Sequence, residues 1–197
     1  MATTLRESET RKMDDLYIKK VLSGDYNSFS YFVKTYKRFA FSISYAILKD
    51  KNLTEEVVQD SFVKAFRQLK TFKQESKFQT WLGRIVINES LRVAKPRGIE
   101  YVVYDEIPGE AVEILNDSIE SLTQEEQKYY ISTVFEYLST NEALALELFY
   151  LQEHSIDEIT AITEWSESKI KMLLLRGRRS FYSHLQKILK TEVKEII

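Results

Sequence analysis

The sequence predicts an all-α protein: two small helical domains joined by a flexible acidic linker, the second domain a helix-turn-helix. Three observations predict it. Five Gly and two Pro in 197 residues leave little of the punctuation that strands need. Apolar residues recur at three- and four-residue steps through most of the chain. Charge is segregated: residues 62–97 hold nine Lys or Arg and two acids, residues 98–168 hold one base and seventeen acids, and residues 169–190 hold seven bases and no acid. Two basic surfaces flanking an acidic middle suggest two anion-facing units rather than one evenly solvated shell.

Residues 1–12 are polar and read as a disordered N-terminus. The first domain is expected over 13–97. It starts with a short helix from Asp14 to Leu22, stopped by Ser23-Gly24. Asn27 or Ser28 can cap a second helix reaching about Leu48, with Phe29, Phe32, Val33, Tyr36, Phe39, Ala40, Ile43 and Ile47 on its stripe. Asn52, with Glu55 three residues later, reads as a capping box opening a third helix. Leu53, Val57, Val58, Phe62, Ala65, Phe66 and Leu69 make its buried face; Glu55, Glu56, Gln59 and Asp60 lie off it. Lys70–Gln79 is polar and includes a loop. A fourth helix runs from about Thr80 to Lys95, packed through Trp81, Leu82, Ile85, Val86 and Leu91, and Pro96 ends it.

Residues 98–118 read as the linker, with a weak strand at Glu100–Tyr104. The second domain, 119–197, has helices over 123–138 and 141–151. A capping box of Ser155 and Glu158 opens a short helix to Ile162, Thr163-Glu164-Trp165 turns, and Ser166 caps a long basic helix. Two short-turned helices with the second basic make a helix-turn-helix candidate. Its N-terminal end would place Ser166, Ser168, Lys169, Lys171 and Met172 nearest to bases. Arg176, Arg178 and Arg179 would hold phosphates, which position a helix without reading sequence.

In the first domain, residues 62–97 combine cations with Phe62, Phe66, Phe72, Phe78 and Trp81. Cations neutralise phosphates, and aromatic faces accept unstacked bases. Other chemistry is poorly provided for. There is no Cys, so no disulfide, thiolate zinc site or Cys nucleophile. His154 and His184 are thirty residues apart, and no Gly-rich phosphate loop occurs. No catalytic residue, metal or cofactor is expected, and the chain is read as a non-enzyme. No apolar run reaches membrane-spanning length and the N-terminus lacks an apolar signal core, so a cytoplasmic protein without direct membrane insertion is expected.

Four segments together resemble the bacterial RNA polymerase sigma factors of the extracytoplasmic-function (ECF) type in the sigma-70 family. They are Asn52-Leu-Thr-Glu-Glu-Val-Val-Gln-Asp-Ser-Phe-Val-Lys-Ala-Phe, Phe78-Gln-Thr-Trp-Leu-Gly-Arg-Ile-Val-Ile-Asn88, the Ser155–Ile162 helix, and Lys169-Ile-Lys followed by Arg176-Gly-Arg. The resemblance covers about 14–97 and 120–190. It implies that Glu55, Glu56, Gln59 and Asp60 bind RNA polymerase core. It implies that the first domain recognises and melts the minus-ten promoter element through Lys73, Gln74, Lys77, Phe78, Trp81, Arg84, Asn88, Arg92, Lys95 and Arg97, the Lys70–Gln79 loop holding a flipped base. The helix-turn-helix would recognise the minus-thirty-five element, and an anti-sigma factor is an implied partner beside polymerase core and promoter DNA. The chain departs from the family at the turn, where the usual Gly is Glu164, and at Thr160, Lys169 and Arg92. The competing reading is a helix-turn-helix transcription regulator whose N-terminal half senses a ligand or dimerises.

Overall fold

The computed structural model describes residues 2–94 and 123–195, with side chains placed for 8–94 and 123–189. The expected strand at Glu100–Tyr104 and the linker lie outside the described residues, as do Lys95 and Arg97. The described elements are helical throughout. They are α1 (Ala2–Leu22), α2 (Ser30–Leu48), α3 (Lys51–Gln68), α4 (Phe78–Val93), α5 (Gln124–Tyr137), α6 (Thr140–Leu146), α7 (Ile156–Thr163) and α8 (Glu167–Glu195). A π-helical turn, Glu147–Leu151, follows α6.

Helix α1 begins earlier than the expected Asp14, extending back to Ala2 through the stretch read as disordered. Glu9, Arg11, Lys12 and Met13 are good helix formers, and elongation from a docked turn avoids a second nucleation. Docking is supplied by Ile18 and Val21, which are buried. Neither Asn27 nor Ser28 caps α2: Tyr26–Phe29 is a 3₁₀ turn, and Ser28 donates to Asp25 at 2.6 Å instead. Asn52 does not cap α3 either. Asp50 does, accepting from the Leu53 amide at 3.0 Å, because its extended backbone aims the carboxylate at that amide while Asn52 already lies inside the helix. The predicted box of Ser155 and Glu158 is formed as expected, and Thr123–Glu126 and Ser139–Glu142 repeat it for α5 and α6.

Helices α2, α3 and α4 pack pairwise around Phe32, Phe39, Ile43, Val58, Phe62, Leu82 and Val86. Burying such a side chain contributes about 1.5–3 kcal/mol each. In the second half α6 lies on α8, where Gly177 admits the close approach. A Cβ there would meet Leu146 Cγ at 3.0 Å and Cδ1 at 3.1 Å. Gly177→Ala therefore sets about 1 kcal/mol of helix propensity against overpacking costing about 1–3 kcal/mol. A net loss of about 1 kcal/mol is expected in urea unfolding.

The halves are not separate bodies in this structure. The core of α2–α4 continues into Leu138, Leu144, Leu148, Ile159 and Ile162. Helix α2 meets α6, and α4 meets α7. Two cations of the first half complete helix ends in the second. Lys49 Nζ donates to the carbonyls of Glu136 (2.8 Å) and Leu138, and Arg84 Nε donates to the Ala161 carbonyl at 2.5 Å. Terminal helix carbonyls lack intrahelical partners and carry partial negative charge, so cations suit them. No local sequence pattern encodes such a long-range cap.

Candidate polymerase-binding groove and nucleic-acid interface

The face of α3 expected to bind a partner is exposed at Glu55, Glu56, Gln59 and Asp60. Beside it, α2 and α3 leave an open groove of about 590 Å³, lined mainly by Phe29, Val33, Phe41, Val58, Phe62, Val63 and Phe66, with Lys37, Glu55 and Gln59. Val63 is 44% exposed and Phe66 36%. Phe66 was expected in the core; it stacks edge-on against Phe29 and Tyr26 and leaves part of its ring to the groove. The signal for this apolar wall was the breadth of the α3 stripe, which is wider than one face can bury. The arrangement is an apolar slot with carboxylates at its side, the form in which an amphipathic helix is taken up.

Along α4, Trp81, Arg84, Asn88 and Arg92 fall at three- and four-residue steps and share one side of the helix. Arg84, Asn88 and Arg92 are exposed and Trp81 is half-buried against Phe72 and Phe78. Lys73 and Gln74 stand exposed in the preceding loop, Gln74 with φ of 61°. Phe78 departs from its expected place. It is 2% exposed, 4.2 Å from the Phe32 ring centre and in contact with Tyr36, Phe72 and Trp81. It is a core residue at the start of α4, with no face to offer a base. Arg92 holds Glu89 at 2.9 Å, and Lys64 holds the same carboxylate at 2.5 Å. These hydrogen bonds, Lys64 first, keep the Glu89 carboxyl below its ordinary range against the opposing effect of burial.

The helix-turn-helix is formed as the sequence predicts. Glu164 ends α7 in the left-handed conformation (φ 62°, ψ 16°) that the family's Gly would supply, and Ser166 accepts from the Lys169 amide at 3.3 Å. Ser168, Lys171, Met172 and Arg176 are exposed along one stripe of α8. Lys169 lies over the Trp165 ring at 4.5 Å, and Lys171 pairs with Glu167 at 2.5 Å. Arg179 is half-buried. Arg178 turns away from the expected phosphate role, lining a second groove of about 230 Å³ and donating to the Tyr150 hydroxyl at 3.1 Å.

The comparisons bear on the whole arrangement. The family model described as sigma-70 region 2 matches residues 32–97, which span α2, α3 and α4 with the groove and the basic face. The ECF RNA polymerase sigma-E factor of Salmonella typhimurium (strain LT2) is 26% identical over 185 residues, covering 90% of this chain and 96% of the relative. The RNA polymerase sigma-H factor of Pseudomonas aeruginosa is 25% identical over 190 residues, covering 92% and 98%. The chain is thus similar to ECF-type sigma factors over nine-tenths of its length, and its residues 32–97 match sigma-70 region 2. Solved structures share the fold. CnrH, solved in complex with the cytosolic domain of CnrY, superposes with a TM-score of 0.62 at 18% identity, covering 89% of this chain and 98% of that one. RpoE of Bartonella quintana, solved with the anti-sigma factor NepR, gives 0.56 at 18% identity, covering 81% and 97%.

Across the halves of the chain, Lys77 Nζ donates to Glu158 Oε1 at 2.7 Å. Partial burial raises the Glu158 carboxyl, but Lys77, the Ser155 backbone amide and His154 together bring it down to about 2 from 4.5. The folded protein thus favours the ionised form. The associated stability is complete above about 4.5 and is lost as pH falls toward about 2. Urea unfolding across that window is expected to show a steeper acid loss for the unaltered chain than for Glu158→Gln.

Proposed function

We propose that this protein acts in the cytoplasm as a non-enzymatic sigma factor whose residues 13–97 engage polymerase and the minus-ten element and whose residues 119–197 read the minus-thirty-five element. As an ECF sigma factor it binds RNA polymerase core and directs promoter-specific transcription initiation. The observation that carries the finer reading is the adjacency of three parts: an apolar groove with acidic neighbours on α3, a one-sided row of polar and cationic residues on α4, and a formed helix-turn-helix.

Each part suits its role physically. A helix of the polymerase core can lay its apolar side into the slot while Glu55, Gln59 and Asp60 meet its polar edge. Arg84, Asn88 and Arg92 with Lys73, Gln74 and Lys77 offer charge and hydrogen bonds to a separated strand, Trp81 being the aromatic closest to the surface. Lys171, Ser168 and Met172 face outward from the start of α8, where a major groove would receive them. An anti-sigma factor is a further expected partner, in keeping with the family's structural neighbours solved with such proteins. Among the described residues no helix is long and apolar enough to cross a membrane.

The deciding experiment adds purified protein to sigma-free polymerase core and a library of promoter fragments. Co-elution with core and transcripts starting at defined sites are expected. Absence of both overturns the reading. The regulator alternative requires DNA binding without polymerase, and the relatives do not favour it.

A further inference from the structure

We propose that residues 110–122, which lead directly into α5, dock as an amphipathic helix in the groove between α5, the π-helical turn and α8, so that the protein carries its own occupant of that groove.

The groove is an unfinished side of the second half. Its walls include Ile131 and Phe135 of α5, Leu146, Tyr150 and Leu151 of α6 and the turn, and Phe181 of α8. Tyr150 and Leu151 are each 48% exposed. Helix α5 buries Val134 alone among its side chains within Gln124–Tyr137, while Ile131 and Phe135 stay half-buried. An amphipathic helix gains stability by burying its apolar stripe, and this stripe is only partly covered by the described residues. Arg178 stands in the lining, and α8 holds seven bases and no acid over 169–190. Such a slot suits an apolar helix with carboxylates along its edge.

Residues 110–122 have that pattern. A helical repeat would put Ala111, Val112, Ile114, Leu115, Ile119 and Leu122 on one side, and Glu110, Glu113, Asp117 and Glu120 on the other. Glu110 and Asp117 would border the apolar side next to Ile114, where a carboxylate at the edge meets Arg178. Residues 98–122 as a whole hold seven acids and no base, the complement of α8.

The tether favours this occupant over any other. Residues 95–122 lie outside the described residues, and the last of them precedes Thr123, the N-cap of α5. At about 1.5 Å per residue, Ile131 and Phe135 stand about 12 and about 18 Å along α5 from that cap, and a helix over 110–121 running back along α5 covers about 18 Å. A short loop before Thr123 suffices to reverse the chain. Residues 95–109 remain to join α4 to the docked helix and reach up to about 50 Å when extended. A short tether also holds the segment at an effective concentration of about millimolar, which a second copy lacks. With the segment docked, another apolar helix must displace it to enter, and displacement lengthens the connection between the halves from 95–109 to 95–122.

Hydrogen exchange of the full chain tests the proposal, because an isolated helix this short is marginal in water and gains lasting protection only by docking. Amides of 112–121 are expected to exchange about tenfold or more below the unprotected rate, as in a locally opening element. Leu151→Glu, at an exposed wall of the groove, is expected to return them to the unprotected rate. The segment variant Leu115→Glu with Ile119→Glu is expected to do the same, and glutamate is a good helix former, so this loss does not come from helix propensity. Should Leu151→Glu loosen the fold, the segment variant, which alters nothing in the described body, locates the groove by faster exchange over 131–135. Fast exchange of 112–121 in the unaltered chain overturns the proposal, as does protection that survives either variant. Unchanged exchange over 131–135 in the segment variant overturns it as well. Protection that grows with protein concentration would assign the groove to the segment of a second copy, and so overturns docking within the chain.

Discussion

Val63→Glu is expected to weaken binding to polymerase core by about 100-fold while leaving the fold intact. Val63 is one of the exposed walls of the α3 groove, and glutamate is a good helix former, so the substitution costs α3 little by itself. In a complex, however, the new carboxylate would be buried against the apolar side of an incoming helix without a partner. Central, desolvated positions of an interface carry most of its energy, and losses of about 2–4 kcal/mol on changing one are usual. The measurement is the affinity for sigma-free core by labelled-protein titration, with urea unfolding as the control. Unchanged affinity would move the polymerase contact away from this groove. Asp60→Ala is expected to act in the same direction but less, because an exposed charge at an interface edge affects association more than retention.

The second large effect concerns stability. Phe78→Ala is expected to destabilise the protein by about 3–5 kcal/mol, the usual loss for removing a buried phenyl ring. Phe78 closes the aromatic cluster formed with Phe32, Tyr36, Phe72 and Trp81, and little neighbouring structure can collapse into the space. Against a total stability of about 5–15 kcal/mol this is a large fraction. Thermal and urea unfolding check it. A variant of normal stability that had lost only promoter melting would instead return Phe78 to the DNA-reading role that the resemblance implied.

The different fates of Phe78 and Arg84 show how far sequence reasoning reached. Periodicity located the helices, because Phe32, Tyr36, Phe39 and Ile43 must share one face to be buried together. Periodicity alone did not single out Arg84, Asn88 and Arg92, which the resemblance supplied. It gave no means of deciding whether an aromatic at a helix start packs inward or outward, since Phe78 and Trp81 differ only by a fraction of a turn. The Ser155–Glu158 box was legible because both partners lie within four residues. The Asp50 cap was missed because Asp50 and Asn52 are equally suitable by type, and backbone direction chooses between them. Docking of the halves was invisible for a further reason. Lys49 and Arg84 bind main-chain carbonyls, and every residue but its position presents the same carbonyl. The turn at Glu164 went the other way: the residue type argued against a left-handed geometry that packing nevertheless imposes.

Helix α1 has a consequence of its own. Its hold on the body includes Asp14, a buried carboxyl that accepts from the Tyr36 hydroxyl at 2.6 Å. Burial drives this carboxyl above its ordinary range, though Tyr36 and Tyr31 pull the other way. A group shifted in that direction contributes most below about pH 3.8 and gives that contribution up as pH rises through its folded value. Ionisation of Asp14 as pH rises above about 3.8 therefore loosens the anchor of α1, whereas acid weakens the Lys77–Glu158 pair. The protein has two fastenings of opposite pH sense, one at its amino-terminal helix and one across its waist. In deuterium exchange, raising pH from about 3.8 through the range in which Asp14 ionises should hasten the opening of α1 beyond the intrinsic chemical acceleration.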